Sequence, residues 1–122
     1  MIVLRHYKRK PRSKYRNVKT AVDGITFDSK REAKRYNELK LLKRAGLIKN
    51  LELQKRFVLL DKYENGNGEK IRSVSYVCDF FYKDVNTGED IVEDVKGQKT
   101  QVYNIKKKWF EAVYYPLTIK EI

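Results

Sequence analysis

The sequence has one cysteine and one histidine among its 122 residues. A lone Cys78 excludes an internal disulfide and a cysteine-built zinc site. A lone His6, set among basic residues, excludes every site that needs two histidines, including HNH-type and paired-histidine ribonuclease chemistry. Ser-His-Asp and Cys-His arrangements would also have to recruit His6. Neither GxxxxGK[ST] nor GxGxxG occurs, which argues against a loop that cradles a nucleotide. No apolar run approaches the roughly 20 residues of a membrane span. The apolar stretch 1–4 is too short for a signal-peptide core, and basic residues follow it instead of preceding it. These absences lead us to expect a soluble, cytoplasmic protein with no membrane partner. Any chemistry must come from carboxylates, lysines, hydroxyls and a bound metal.

What the chain has in excess is positive charge: 28 Lys and Arg stand against 16 Asp and Glu, a formal net charge of +12. No acid precedes Asp23, whereas Arg5, Lys8, Arg9, Lys10, Arg12, Lys14, Arg16 and Lys19 all do. Pro11 and Ser13 interrupt any helix there. A second cluster, Lys106-Lys107-Lys108, falls in a helical stretch. Charge runs are usually solvated surface, but an acid-free arm on so basic a chain points to a polyanionic partner, nucleic acid. Such an arm neutralises phosphates without reading sequence. We therefore divide the chain into a basic arm, 1–18, and one domain, 19–122, of a size that supports a hydrophobic core.

Within that domain, 19–22 and 25–27 flank Asp23-Gly24, a two-residue hairpin signal. Ser29 followed by Glu32 is a capping-box pattern that starts a helix running to about residue 44, with Gly46 as its stop. Residues 51–60 alternate, with Leu51, Leu53, Phe57 and Leu59 on one side, and read as a strand. Residues 64–68 form a loop. Residues 71–82 and 91–96 read as two further strands, separated by Asn86-Thr87-Gly88. Thr100 or a neighbour caps a second helix, whose packing face is expected to be Val102, Ile105, Trp109, Ala112 and Val113. Pro116 ends it, and 117–122 forms a last strand. The order hairpin-α-β-β-β-α-β predicts an α/β fold, a mixed sheet flanked by two helices.

Charged residues inside apolar strands are costly unless paired or metal-bound. Asp79 lies in Val77-Cys78-Asp79-Phe80-Phe81, and Glu93-Asp94 in Ile91-Val92-Glu93-Asp94-Val95-Lys96. Alternation puts Asp94 and Lys96 on one face of the strand and Glu93 on the other, with Ile91 and Val95; a bulge would reverse that choice. At 100° per residue, Glu32 falls within about 40° of Tyr36 and about 20° of Leu39, on the inward side of its helix. Three carboxylates and a lysine from different elements can thus converge, as metal-assisted phosphodiester hydrolysis requires. Each also has a plainer role. Glu32 can serve as the partner of Ser29, Asp79 can pair with a lysine, Asp94 and Lys96 can form a strand ion pair, and Lys106–Lys108 can be helix surface.

Asp79, followed by Asp94-Val95-Lys96, resembles the D…(D/E)xK pattern of the PD-(D/E)XK nuclease superfamily. The passages Lys14-Tyr15-Arg16-Asn17, Val22-Asp23-Gly24-Ile25-Thr26-Phe27-Asp28-Ser29-Lys30-Arg31-Glu32-Ala33, Leu51-Glu52-Leu53-Gln54, Tyr76-Val77-Cys78-Asp79-Phe80 and Val92-Glu93-Asp94-Val95-Lys96-Gly97 are similar to a family of small phage and prophage proteins within it. Cys78 stands where the superfamily name has proline. The resemblance implies a restriction-endonuclease-like core. It implies a Mg²⁺- or Mn²⁺-dependent DNA endonuclease with Asp79, Asp94 and the Val95 carbonyl as metal ligands, Lys96 as the catalytic lysine, and Glu32 supporting the metal. Gln54, Gln98 and Tyr103 are its candidates for substrate contact. Arg9, Lys10, Arg12, Lys14, Arg16, Lys106 and Lys107 are the candidate DNA-backbone contacts. A structure-selective enzyme acting on Holliday junctions or other branched DNA needs two active sites, hence a homodimer. The competing readings are a non-catalytic nucleic-acid-binding module of the same fold and a protein that acts through a recombination or transposition partner.

Overall fold

Asp23 and Gly24 both adopt positive φ, +53° and +77°, the backbone that lets a two-residue turn match strand twist. They join β1 (Thr20–Val22) to β2 (Ile25–Phe27). The computed structural model describes residues 18–96 and 98–122, so the predicted arm, with His6, Arg9, Lys10, Arg12, Lys14 and Arg16, lies outside the described residues up to Val18. Helix α1 (Lys30–Arg44) starts where the Ser29 hydroxyl accepts the Glu32 N–H at 3.1 Å. It ends in a Schellman closure: the Leu47 N–H reaches the Leu42 carbonyl, the Gly46 N–H reaches that of Lys43, and Gly46 sits at φ +79°.

Strands β3 (Ile48–Leu53), β4 (Arg56–Leu60), β5 (Tyr63–Glu64), β6 (Lys70–Ile71), β7 (Val74–Val77), β8 (Phe80–Asp84) and β9 (Asp90–Asp94) follow, then α2 (Gln101–Val113) and β10 (Ile119–Glu121). The main sheet has the order β10-β9-β8-β3; β10 runs parallel to β9 and the other pairs are antiparallel. The fold is thus the expected mixed α/β architecture with a mixed sheet and two helices. Among the described residues no helix is long and apolar enough to cross a membrane.

Two of the expected strands are broken. Residues 51–60 split at Gln54, whose φ of +54° turns the chain out of the main sheet, so Leu51 and Leu53 pack towards α1 while Phe57 and Leu59 pack towards α2. Residues 71–82 split at Cys78-Asp79. The two breaks face each other: Gln54 N–H donates to the Asp79 carbonyl at 3.1 Å, and Cys78 N–H to that of Lys55 at 3.0 Å. Both strands therefore bend together, and β4–β7 peels away as a separate antiparallel ribbon with β5–β6 at its tip. Period-2 apolar patterning runs through such a bend, which is why the sequence reads as continuous strand. The expected loop 64–68 is correspondingly shorter, with Glu64 in β5.

The core has two parts, one on each face of the main sheet. Phe27, Ala33, Tyr36, Leu39, Ile48, Phe80 and Tyr82 gather under α1. Phe57, Leu59, Tyr76, Val92, Tyr103, Phe110 and Ile119 gather under α2. The expected face of α2 is corrected in part, since Trp109 packs against the core as expected. Tyr103 and Phe110 point inward, whereas Val102 and Ile105 are 63% and 61% exposed and Val113 is exposed as well. Phe110 packs on Phe57 and Tyr76 at centroid distances of 4.9 and 5.3 Å. Burying these larger rings outweighs burying the aliphatic stripe, and the helix is rotated accordingly.

Between α1 and the sheet, Glu93 is 0% exposed. Arg35 holds it bidentately, Nε at 2.8 Å and Nη2 at 2.6 Å, and the Tyr82 hydroxyl donates a further hydrogen bond. We expect Arg35→Ala to lower stability in denaturant titrations by about 3–5 kcal/mol, because it strands a buried carboxylate. Combining Arg35→Met with Glu93→Leu should recover most of that loss. A cost below about 1 kcal/mol for the single variant, as for a surface pair, would refute this account.

Candidate active site

The bend between β7 and β8 sets Asp79 beside the C-terminal end of β9. Its Oδ2 accepts the Val95 N–H at 2.7 Å and its own N–H donates to the Glu93 carbonyl at 3.1 Å. Asp94 is buried on the α2 side of β9, where its Oδ2 accepts the Tyr76 hydroxyl at 2.5 Å and its Oδ1 lies 3.1 Å from the Lys96 ammonium. Glu93 points to the opposite face, into the Arg35–Tyr82 pocket, so alternation through β9 holds and no bulge reverses the two acids. Glu32, buried in the first turn of α1, lies within Coulombic reach of Asp94 and Lys96. Residues 32, 79, 94 and 96 therefore meet at one end of the main sheet.

Crowding of these carboxyls is visible in their proton affinities. The Asp79 carboxyl is raised from the ordinary 3.8 to about 7, first by burial and next by the charge of Asp94. Glu32 is raised as well, by burial and then by Asp28 and Asp94, against the opposing pull of Lys96. Lys96 is held from two sides, by Asp94 and by the face of Tyr103, whose centroid is 4.3 Å from Nζ. Cys78 is free and buried, and burial pushes its thiol up to about 12, so it supplies no thiolate at neutral pH.

The remaining candidates divide. Gln54 touches the site: its amide Nε2 lies 3.4 Å from Asp79 Oδ1. Tyr103 lies under Lys96, with its hydroxyl donating to Glu121 at 2.7 Å. Glu121 also takes Lys107 at 3.3 Å and Lys99 at 3.0 Å, so Lys107 is drawn into an ion pair. Gln98 is exposed, and Lys106 is half-buried on α2. Two contributors escape a sequence reading. Tyr76 reaches Asp94 only because the ribbon folds back over the sheet. Arg31 donates to the carbonyls of Lys96 at 3.2 Å and Ile122 at 2.9 Å, tying the segment after β9 to the start of α1. The inward face of Tyr76 in its alternating strand was the one available signal.

Among the described residues no group of three or more His, Cys, Asp or Glu side chains is arranged to hold a metal ion. The donor set still suits a hard cation, because Mg²⁺ usually takes one or two carboxylates and completes its shell with water and other oxygens. Asp79 and Asp94 present that pair, and their mutual repulsion is what a cation relieves.

A group whose folded pKa is raised holds its proton more tightly when folded. Stability attributable to Asp79 is therefore present at low pH and is lost as pH rises from the ordinary 3.8 towards about 7. We expect Asp79→Asn, in chelator, to flatten that slope and to raise stability at mildly alkaline pH by about 1–2 kcal/mol. Urea titrations across the window check this. An unchanged slope, or a less stable variant at alkaline pH, would contradict it.

No curated protein and no solved structure matches the chain. Residues 12–122 match the family described as "Protein of unknown function (DUF1064)". That match covers the hairpin, both helices and every strand, including residues 32, 79, 94 and 96. The chain belongs to the DUF1064 family.

Proposed function

We propose that the chain is a metal-dependent DNA endonuclease that hydrolyses phosphodiester bonds. The observation that carries this reading is the Asp79–Asp94 carboxyl pair with the Lys96 ammonium 3.1 Å from Asp94. A lysine-backed acid pair at the end of a sheet, on a chain of net charge +12, suits an anionic phosphodiester. The resemblance of Asp79 and Asp94-Val95-Lys96 to the PD-(D/E)XK pattern supports it independently. By the same resemblance the enzyme is phage-encoded and acts in the host cytoplasm; a structure-selective version, cutting Holliday junctions or other branched DNA, would need two active sites and hence a homodimer.

In this reading Asp79, Asp94 and the Val95 carbonyl hold Mg²⁺ or Mn²⁺. The bound ion supplies Lewis-acid polarisation of the phosphoryl group and lowers the pKa of a water. Hydrolysis joins a water oxygen to phosphorus and breaks one ester P–O bond, with negative charge growing on the phosphoryl and leaving oxygens. The Lys96 ammonium is set to stabilise that charge. Tyr103 and Asp94 restrict where Nζ sits, so little reorganisation is needed as the charge develops. Tyr76 fixes the Asp94 carboxylate by donating to Oδ2, leaving Oδ1 turned towards Lys96. Glu32 adds negative charge on the α1 side and strengthens the hold on a cation.

Incubation with supercoiled, linear and branched DNA, with Mg²⁺, Mn²⁺ or chelator, tests this. We expect cutting only with a divalent cation, faster on branched DNA. Lys96→Ala should slow it by at least about 100-fold while DNA binding is retained; Asp79→Ala should abolish it. Tight binding with no cutting under either metal would overturn the enzyme reading in favour of a non-catalytic binding module.

A further inference from the structure

A groove of about 450 Å³ lies between the C-terminal half of α1 and strand β3, away from Lys96 and the α2 lysines. Its apolar lining is Tyr36, Leu51 and Leu53; its cations are Lys40, Lys43 and Arg44. Lys40 is paired with Asp23. Among the described residues no ion pair holds Lys43 or Arg44. The helix dipole welcomes cations in a last turn, but that accounts for their tolerance, not for their gathering around a groove. No acid lines the groove, and the one acid paired with its cations, Asp23, serves Lys40. An occupant must bring its own negative charge.

The groove also leads somewhere. Strand β3 runs from Leu51 and Leu53 directly to Gln54, whose amide meets Asp79. At about 3.3 Å per residue, Leu51 is roughly 10 Å along the strand from Gln54. Lys43 and Arg44 lie further back, 11 and 12 residues or roughly 17 Å along α1 from Glu32, which is about five nucleotides of a strand rising 3.4 Å each. Cations beside an apolar floor match a sugar-phosphate backbone, with phosphates at the lysines and arginine and sugars against the leucines.

We propose that this α1–β3 groove seats the backbone of the DNA about five nucleotides from the bond cut at Asp79 and Asp94, with Lys43 and Arg44 as its phosphate contacts. The identity of the ligand as DNA rests on the nuclease reading, but the binding test does not need catalysis. The probe is a short fluorescent DNA duplex, titrated in chelator at several salt concentrations with anisotropy as the readout. Lys43→Glu combined with Arg44→Glu should weaken binding at least about 10-fold and lower the slope of log K against log salt by about two, roughly 0.9 per phosphate contact. Lys43→Gln with Arg44→Gln, a milder change at exposed positions, should lower the slope likewise. Lys62→Glu with Lys70→Glu, an equal charge change at the β5–β6 tip, should change affinity less than half as much. An unchanged slope in both groove variants, equal loss in the ribbon pair, or no binding by the parent protein would overturn the proposal. If the parent never cuts DNA with any cation yet the groove variants lose slope, the nuclease reading fails and the groove stands.

Discussion

Two consecutive carboxylates, Glu93 and Asp94, are buried on the same strand and face opposite layers. A buried carboxylate needs a compensating partner in each layer, and the fold supplies unequal ones. Towards α1, Glu93 receives a full bidentate guanidinium and a tyrosine hydroxyl. Towards α2, Asp94 receives one tyrosine hydroxyl and one ammonium, and it shares its surroundings with Asp79. The first arrangement closes on itself and anchors α1 to the sheet. The second leaves negative charge in excess at the sheet's end, and the functional reading follows from that imbalance.

The bends at Gln54 and Cys78-Asp79 give the imbalance its shape. By leaving the main sheet together, β4 and β7 cover α2's aromatic face and bring Tyr76 over Asp94. The same bend frees Asp79 from the ladder, so that its carboxylate can accept the Val95 N–H and lie against Asp94. Arg31 then holds the backbone of Lys96 and Tyr103 its ammonium. A site built this way stores repulsion in the folded protein. Binding sites commonly do so at some expense of stability.

Much of this was legible in the sequence. The hairpin followed from Asp23-Gly24, the start of α1 from Ser29, that of α2 from Thr100, and the mixed sheet from the order of elements. Opposite facing of Glu93 and Asp94 followed from alternation alone. What escaped depends on tertiary choice. Alternation does not report a bend that conserves it, so residues 51–60 and 71–82 looked continuous. A helix with two apolar arcs does not say which goes inward; on α2 the ring volume of Tyr103 and Phe110 decided against Val102 and Ile105. The partners of buried acids, Arg35 and Tyr76, sit 58 and 18 residues from them along the chain, beyond any local pattern.

The proposed activity requires Asp79 and Asp94 to hold a divalent cation between them. Calorimetric titration of Mn²⁺ into the protein tests it most directly. We expect uptake of one ion per chain with release of protons, lost in Asp79→Asn and unaffected by a change at exposed Lys62. No uptake by the parent protein, or equal uptake by Asp79→Asn, would contradict it.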